Sequence, residues 1–264
     1  MSDYLIPVPA LTRRYLRLKG LPSAERLNEA KRTSVAELAD EFAQSAATFA
    51  AFPAEQDFYG ARSDEGKNPK SATRTYGWAM AMKGAGDIAV DGAPELTFRY
   101  VDRELIPTRT RPRLKFAAAG GAELRVDVIL ANVESGRPIV AELKIAADKD
   151  PYTALVQALA AAAQLAPAAQ RQRLVRHGDR PQIQEHLKKS LAGFEKDELI
   201  DVYVLLAEFP PRARDRFEQL GRAVTLAGEL EEAAPGLGRV RILAVAKDVA
   251  GRVYVTTELP QQGS

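Results

Sequence analysis

The 264-residue sequence predicts an α/β protein, a mixed central sheet flanked by helices, on three observations. Two apolar strand-like runs, 125–131 and 137–145, are separated by the turn-forming stretch Asn132-Val133-Glu134-Ser135-Gly136. Pro151 then opens an Ala- and Leu-rich stretch, 152–165, that has no internal Gly or Pro and reads as a helix. A further run, Asp201-Val202-Tyr203-Val204-Leu205-Leu206, returns as a strand expected beside the hairpin.

The first hundred residues read differently. Ser34 is placed to cap a helix over 35–51, with Glu37 at capping-box distance and Leu38, Phe42, Ala46 and Phe49 on one stripe. Residues 57–76 read as loop, and Tyr76, Trp78, Met80 and Met82 form an aromatic and sulfur-rich patch suited to core packing or a partner contact. The division expected is a helical and loop region, 1–95, ahead of a core domain, 96–264. Within that core, 96–105 is a short helix or a strand, and 114–119, Gly120-Gly121 and 123 onward form a first hairpin. Residues 212–230 are helical and highly charged, and 239–246 with 252–257 flank a turn and form the last hairpin.

Composition excludes several chemistries. Cysteine is absent and histidine occurs only as His177 and His186, so zinc fingers, iron–sulfur clusters and a Cys nucleophile are ruled out for this chain. No run resembles a signal peptide or a membrane span, and a cytoplasmic location is the expectation. A formal net charge of +2 carries no signal for nucleic acid by itself. Local clusters say more: Arg13, Arg14, Arg17 and Lys19; Arg109, Arg111, Arg113 and Lys115; and Arg171, Arg173 and Arg176 with the basic residues after them. Arg109, Arg111 and Arg113, next to the core strands, are the candidates for holding phosphates.

Chemistry concentrates in the hairpin. Asp127, Glu142 and Lys144 lie in strands whose other positions are apolar, and buried charges must be paired or bound to a metal. If Ser135-Gly136 is the central pair of the turn, Asp127 faces Lys144; if Glu134-Ser135 is, Asp127 faces Glu142. Either way the three share one face, since only a one-residue slip separates them. Two carboxylates and the Leu143 carbonyl offer hard oxygen ligands to Mg²⁺ or Mn²⁺, and Lys144 can orient or deprotonate water for phosphodiester hydrolysis.

Asp127, then Ile139-Val140-Ala141 leading into Glu142-Leu143-Lys144, resembles the PD-(D/E)XK nuclease superfamily over residues 113–165 and more weakly 202–208. The resemblance implies a restriction-endonuclease-like core, with Asp127 and Glu142 binding the metal and Lys144 assisting water. Val126 stands where the motif's name has Pro. Gln157 matches a Gln that several exonuclease-like members hold near the metal, while Ala161 stands where they place a Tyr. Glu104 is the candidate for an accessory acid, with Asp102 and Glu95 competing for that role. Two other Glu-x-Lys tripeptides, beginning at Glu29 and Glu65, lie in polar surroundings and carry no such context. The function expected is a metal-dependent nuclease acting on DNA ahead of RNA. The alternative is a catalytically inactive nuclease-like module that binds nucleic acid or a protein partner.

Overall fold

The computed structural model describes residues 4–50, 72–105, 114–116, 124–145, 150–178, 194, 198–208 and 214–259. Its main sheet runs in the order β2-β4-β6-β7-β8-β9-β10-β3. These strands are β2 (Asp87–Ile88), β3 (Val90–Asp91), β4 (Phe98–Leu105), β6 (Val126–Asn132), β7 (Pro138–Ile145), β8 (Ile200–Ala207), β9 (Leu237–Lys247) and β10 (Val253–Thr256). The pairs β7–β8, β8–β9 and β10–β3 are parallel and the rest antiparallel, as expected of a mixed sheet.

The two ends of that order are neighbours in sequence. β2 and β3 are separated by Ala89 alone, yet β2 pairs with β4 and β3 with β10. Consecutive Cα atoms are about 3.8 Å apart, so the sheet must curl until its edges meet. Gly86 and Gly92, at φ 73° and 76°, make the left-handed turns into and out of this stitch. The inner face is filled by Ile88, Val90, Phe98, Leu130, Ile139, Leu205, Leu243 and Val255. Helix α4 (Ala72–Ala85) adds Trp78 and Met82 to that cluster near the C-terminal ends of β8 and β9, where Trp78 Nε1 donates to Glu208 and the Lys247 ammonium lies 4.5 Å from the Trp78 ring centre. The aromatic patch is thus mainly core, with Tyr76 exposed beneath the Arg103 guanidinium.

Helices cover the outer face: α1 (Ala10–Gly20), α3 (Val35–Ala50), α5 (Pro151–Leu165) and α7 (Arg214–Ala233), with α2 (Ser23–Arg32) and α6 (Ala168–Gly178) beside them. α5 follows β7 and crosses over to the parallel strand β8. It is buried on every side, and its alanines let α1, α3 and α7 approach closely. Asp150 caps it, accepting the Thr153 N–H at 2.6 Å and the Thr153 hydroxyl at 2.9 Å. Ser34 caps α3 as expected, accepting the Glu37 N–H at 3.2 Å.

The region 1–95 supplies β1 to β3 and α1 to α4; α1, α2 and α3 share one hydrophobic core with β6 to β9, and α4 joins the inner cluster. One local expectation is narrowed to one of its alternatives and another changes. Residues 98–105 are strand β4 throughout, because their side chains fill the sheet on both faces. β5 (Leu114–Phe116) pairs in parallel with β1 (Tyr4–Ile6) in a separate two-stranded sheet, so β6 takes β4 and β7 as partners instead of a hairpin with 114–119. The final hairpin, β9–β10, forms where expected, around Gly251 at φ 78°. Among the described residues no helix is long and apolar enough to cross a membrane.

Candidate active site at the end of the β6–β7 pair

The turn sets the register. Asn132 Oδ1 accepts the Ser135 N–H at 2.8 Å and its hydroxyl at 2.9 Å, while the Asn132 N–H bonds the Arg137 carbonyl at 2.9 Å. Gly136, at φ 70°, completes a four-residue loop that an L side chain would strain. The ladder runs from Ala131↔Pro138 to Val128↔Ala141, and its next step sets Asp127 opposite Glu142. Of the two registers open to the sequence, the one centred on Glu134-Ser135 is observed, and Asp127 opposite Lys144 is not.

Asp127, Glu142 and Lys144 share the outer face, between the sheet and the helices. The Leu143 N–H donates to Asp127 Oδ2 at 3.1 Å. N–H and C=O of one strand residue point to the same edge, so the Leu143 carbonyl also faces Asp127. Lys144 Nζ donates to Glu142 Oε1 and, at 3.2 Å, to Gln157 Oε1 on α5. Glu142 is 1% exposed and Lys144 7%, while Asp127 is half-buried and forms the open side.

Burial raises the Glu142 carboxyl well above the ordinary glutamate value, and the nearby Asp127 charge adds to this against the pull of Lys144. For Lys144, burial works against the charged form, but the charges of Glu142 and Asp127 outweigh it and hold the ammonium. One ammonium facing two carboxylates leaves excess negative charge in a poorly solvated place. A divalent cation relieves it, and the donor set of two carboxylates and a carbonyl suits Mg²⁺ or Mn²⁺.

The other candidates are placed differently. Glu104 lies between the pairs Arg103↔Val128 and Leu105↔Val126, which puts it opposite Asp127, on strand β4 rather than on a helix. Its backbone is left-handed at φ 52°, and its carboxylate sits 3.5 Å from Arg103 Nη1. Among the described residues no group of three or more His, Cys, Asp or Glu side chains gathers closely enough to hold a metal ion. Asp102 is buried and accepts the Arg103 N–H, and Glu95 lies at the far end of β4.

Arg109, Arg111 and Arg113 lie outside the described residues. Arg14 is not a phosphate-binding surface group: it is buried, with hydrogen bonds to Glu29, Glu37, Glu41, Thr33 and Tyr152. Arg17 is tied to Glu29 and Arg171 to the Ala166 and Glu198 carbonyls, while Arg173 is buried against Gln170. Sequence reasoning missed Tyr15, which is buried on α1, its phenol pushed above the ordinary tyrosine value chiefly by burial. The signal was present as the spacing Leu11, Tyr15, Leu18, an apolar helical face.

Comparison with protein-family models, curated proteins and solved structures finds no match for this chain.

Proposed function

We propose that the protein is a Mg²⁺- or Mn²⁺-dependent nuclease of the PD-(D/E)XK kind that hydrolyses phosphodiester bonds, of DNA ahead of RNA. The observation that carries this reading is the convergence of Asp127, Glu142, Lys144 and Gln157 at one end of the hairpin, followed by a crossover helix and a parallel strand. The bound ion would supply charge neutralisation at the phosphate and activation of water. Asp127, Glu142 and the Leu143 carbonyl would hold it. Lys144, kept charged by its neighbours, serves as a positioned donor toward water and developing negative charge, not as a base. Gln157 orients that ammonium. Arg109, Arg111 and Arg113 are proposed to hold the nucleic-acid backbone.

One observation favours a second reading, a nuclease-like binding module without turnover. Glu142 and Lys144 are almost wholly buried and bonded to each other, as in a structural ion pair. Incubating the protein with labelled single-stranded DNA, duplex DNA and RNA separates the two. The nuclease reading expects chelator-sensitive cleavage with Mg²⁺ or Mn²⁺ and little with Ca²⁺, whose looser shell positions water poorly. Binding without cleavage under every metal supports the second reading.

A further inference from the structure

Helix α4 crosses one end of the curled sheet. On one side Trp78 Nε1 donates to Glu208 at 3.4 Å, just past β8, and the Trp78 ring lies under the Lys247 ammonium at the end of β9. On the other side Tyr76, two residues earlier and so turned to a different face of the helix, meets Arg103 of β4, whose guanidinium lies 4.3 Å from the ring centre. Arg103 pairs with Val128 of the inner cluster, and the next residue, Glu104, stands opposite Asp127. Leu206, two residues before Glu208, pairs with Lys144. The Tyr76 ring is therefore at the same end of the sheet as Asp127, Glu142 and Lys144, on the inner face where they take the outer one.

Exposure shows which way the ring looks. The Arg103 side chain is 4% exposed and Tyr76 38%, so the ring lies between a buried guanidinium and solvent, one face held and the other turned to water. A ring ordered in this way suits stacking by a nucleobase, since every base has a π-face. Exposed Arg74 and Lys247, with Arg103, outnumber the nearby carboxylates Glu104 and Glu208, the latter 3.9 Å from Arg74 Nη2, and favour a polyanion. We infer that the substrate is single-stranded where it enters the site and that Tyr76 stacks on one of its bases. In a duplex the base faces are taken up by neighbouring bases, so this contact discriminates by strandedness, which a metal site that handles phosphate does not. The simpler role, a cover over Arg103, is met by any bulky side chain and brings no dependence on bases. The inference rests on the proposed reading in that nucleic acid is the ligand, but not on its being cut.

The test measures binding by the full chain in Ca²⁺, with Tyr76→Leu and Tyr76→Gln as variants without the ring and Tyr76→Phe as the variant that keeps it. The probes are a short oligodeoxyadenylate, its duplex with oligothymidylate, and a strand of equal length made of abasic sugar phosphates. Both ring-free variants should bind the adenylate strand about tenfold more weakly, the loss of one base stack, while Tyr76→Phe binds it as the unaltered protein does. Affinity for the duplex and the abasic strand should be the same in every variant. A single 2-aminopurine set among abasic sugars should lose fluorescence on the unaltered protein and keep it on the ring-free variants. Equal affinities for the adenylate strand, or equal losses for the adenylate and abasic strands, overturn the inference. So does unquenched 2-aminopurine on the unaltered protein, a result that needs no variant to fold. If nothing is cleaved with Mg²⁺ or Mn²⁺, ring-dependent binding upholds the inference while the nuclease reading falls; if Tyr76→Leu cleaves single-stranded DNA with unchanged kcat/KM, the inference falls and the nuclease reading stands.

Discussion

Asp127 and Glu142 face each other across β6 and β7, and the Leu143 N–H bonded to Asp127 Oδ2 at 3.1 Å keeps the first carboxylate beside the second. Burial first, and then the Asp127 charge, push the Glu142 carboxyl above its ordinary value.

That relationship predicts a pH dependence. Glu142 is raised above its ordinary value of 4.5, so stability falls as pH rises from that value toward the folded one. Lys144 is raised above its ordinary 10.5, so its contribution is intact throughout this range and is lost only in strong alkali. Urea midpoints of the chelated protein should therefore decline as pH rises above the ordinary glutamate value, and Glu142→Gln should flatten that slope. Parallel slopes would mean that Glu142 titrates normally.

Arg14 predicts a structural loss without a chemical one. Its guanidinium joins α1, α2, α3 and α5 through Glu29, Glu37, Glu41, Thr33 and Tyr152. Arg14→Met leaves those partners unsatisfied and should cost about 2–3 kcal/mol, less than a fully buried pair because the glutamates are partly exposed. Chemical denaturation measures it, and a change under about 0.5 kcal/mol would contradict the anchoring role.

The stitch between the sheet edges predicts an aggregation phenotype. A Cβ on Gly92 would meet Thr257 Oγ1 at 3.2 Å on a left-handed backbone, so Gly92→Ala should cost about 1 kcal/mol. Val90→Asp places a charge at a buried position and should free the edges of β4 and β10. Light scattering should then show concentration-dependent association for Val90→Asp. A monodisperse variant would show that the edges are protected without the stitch.

Local signals were legible and distant pairings were not. Ser34, the Asn132–Gly136 turn and the apolar runs of β6, β7 and β8 act over a few residues, so α3, the hairpin and the parallel strand could be read directly. The register was legible only as two choices, because both keep Asp127, Glu142 and Lys144 on one face; Gly136 and the Asn132 side chain decide between them. The pairing of β1 with β5, more than a hundred residues apart, left no periodic trace, nor did the use of 87–91 to join both edges. Arg14 read as part of a basic cluster because its partners come from other helices.

The central claim is that Asp127 and Glu142 bind metal while Lys144 performs chemistry. Calorimetric titration with Mn²⁺, alongside cleavage by the same preparations of Asp127→Ala, Glu142→Ala and Lys144→Ala, tests it most directly. Lys144→Ala should retain metal binding yet lose roughly 10²-fold or more in cleavage rate, whereas both carboxylate variants should lose metal affinity and turnover together. Cleavage at the unaltered rate in all three would contradict the account and leave the hairpin cluster a structural one.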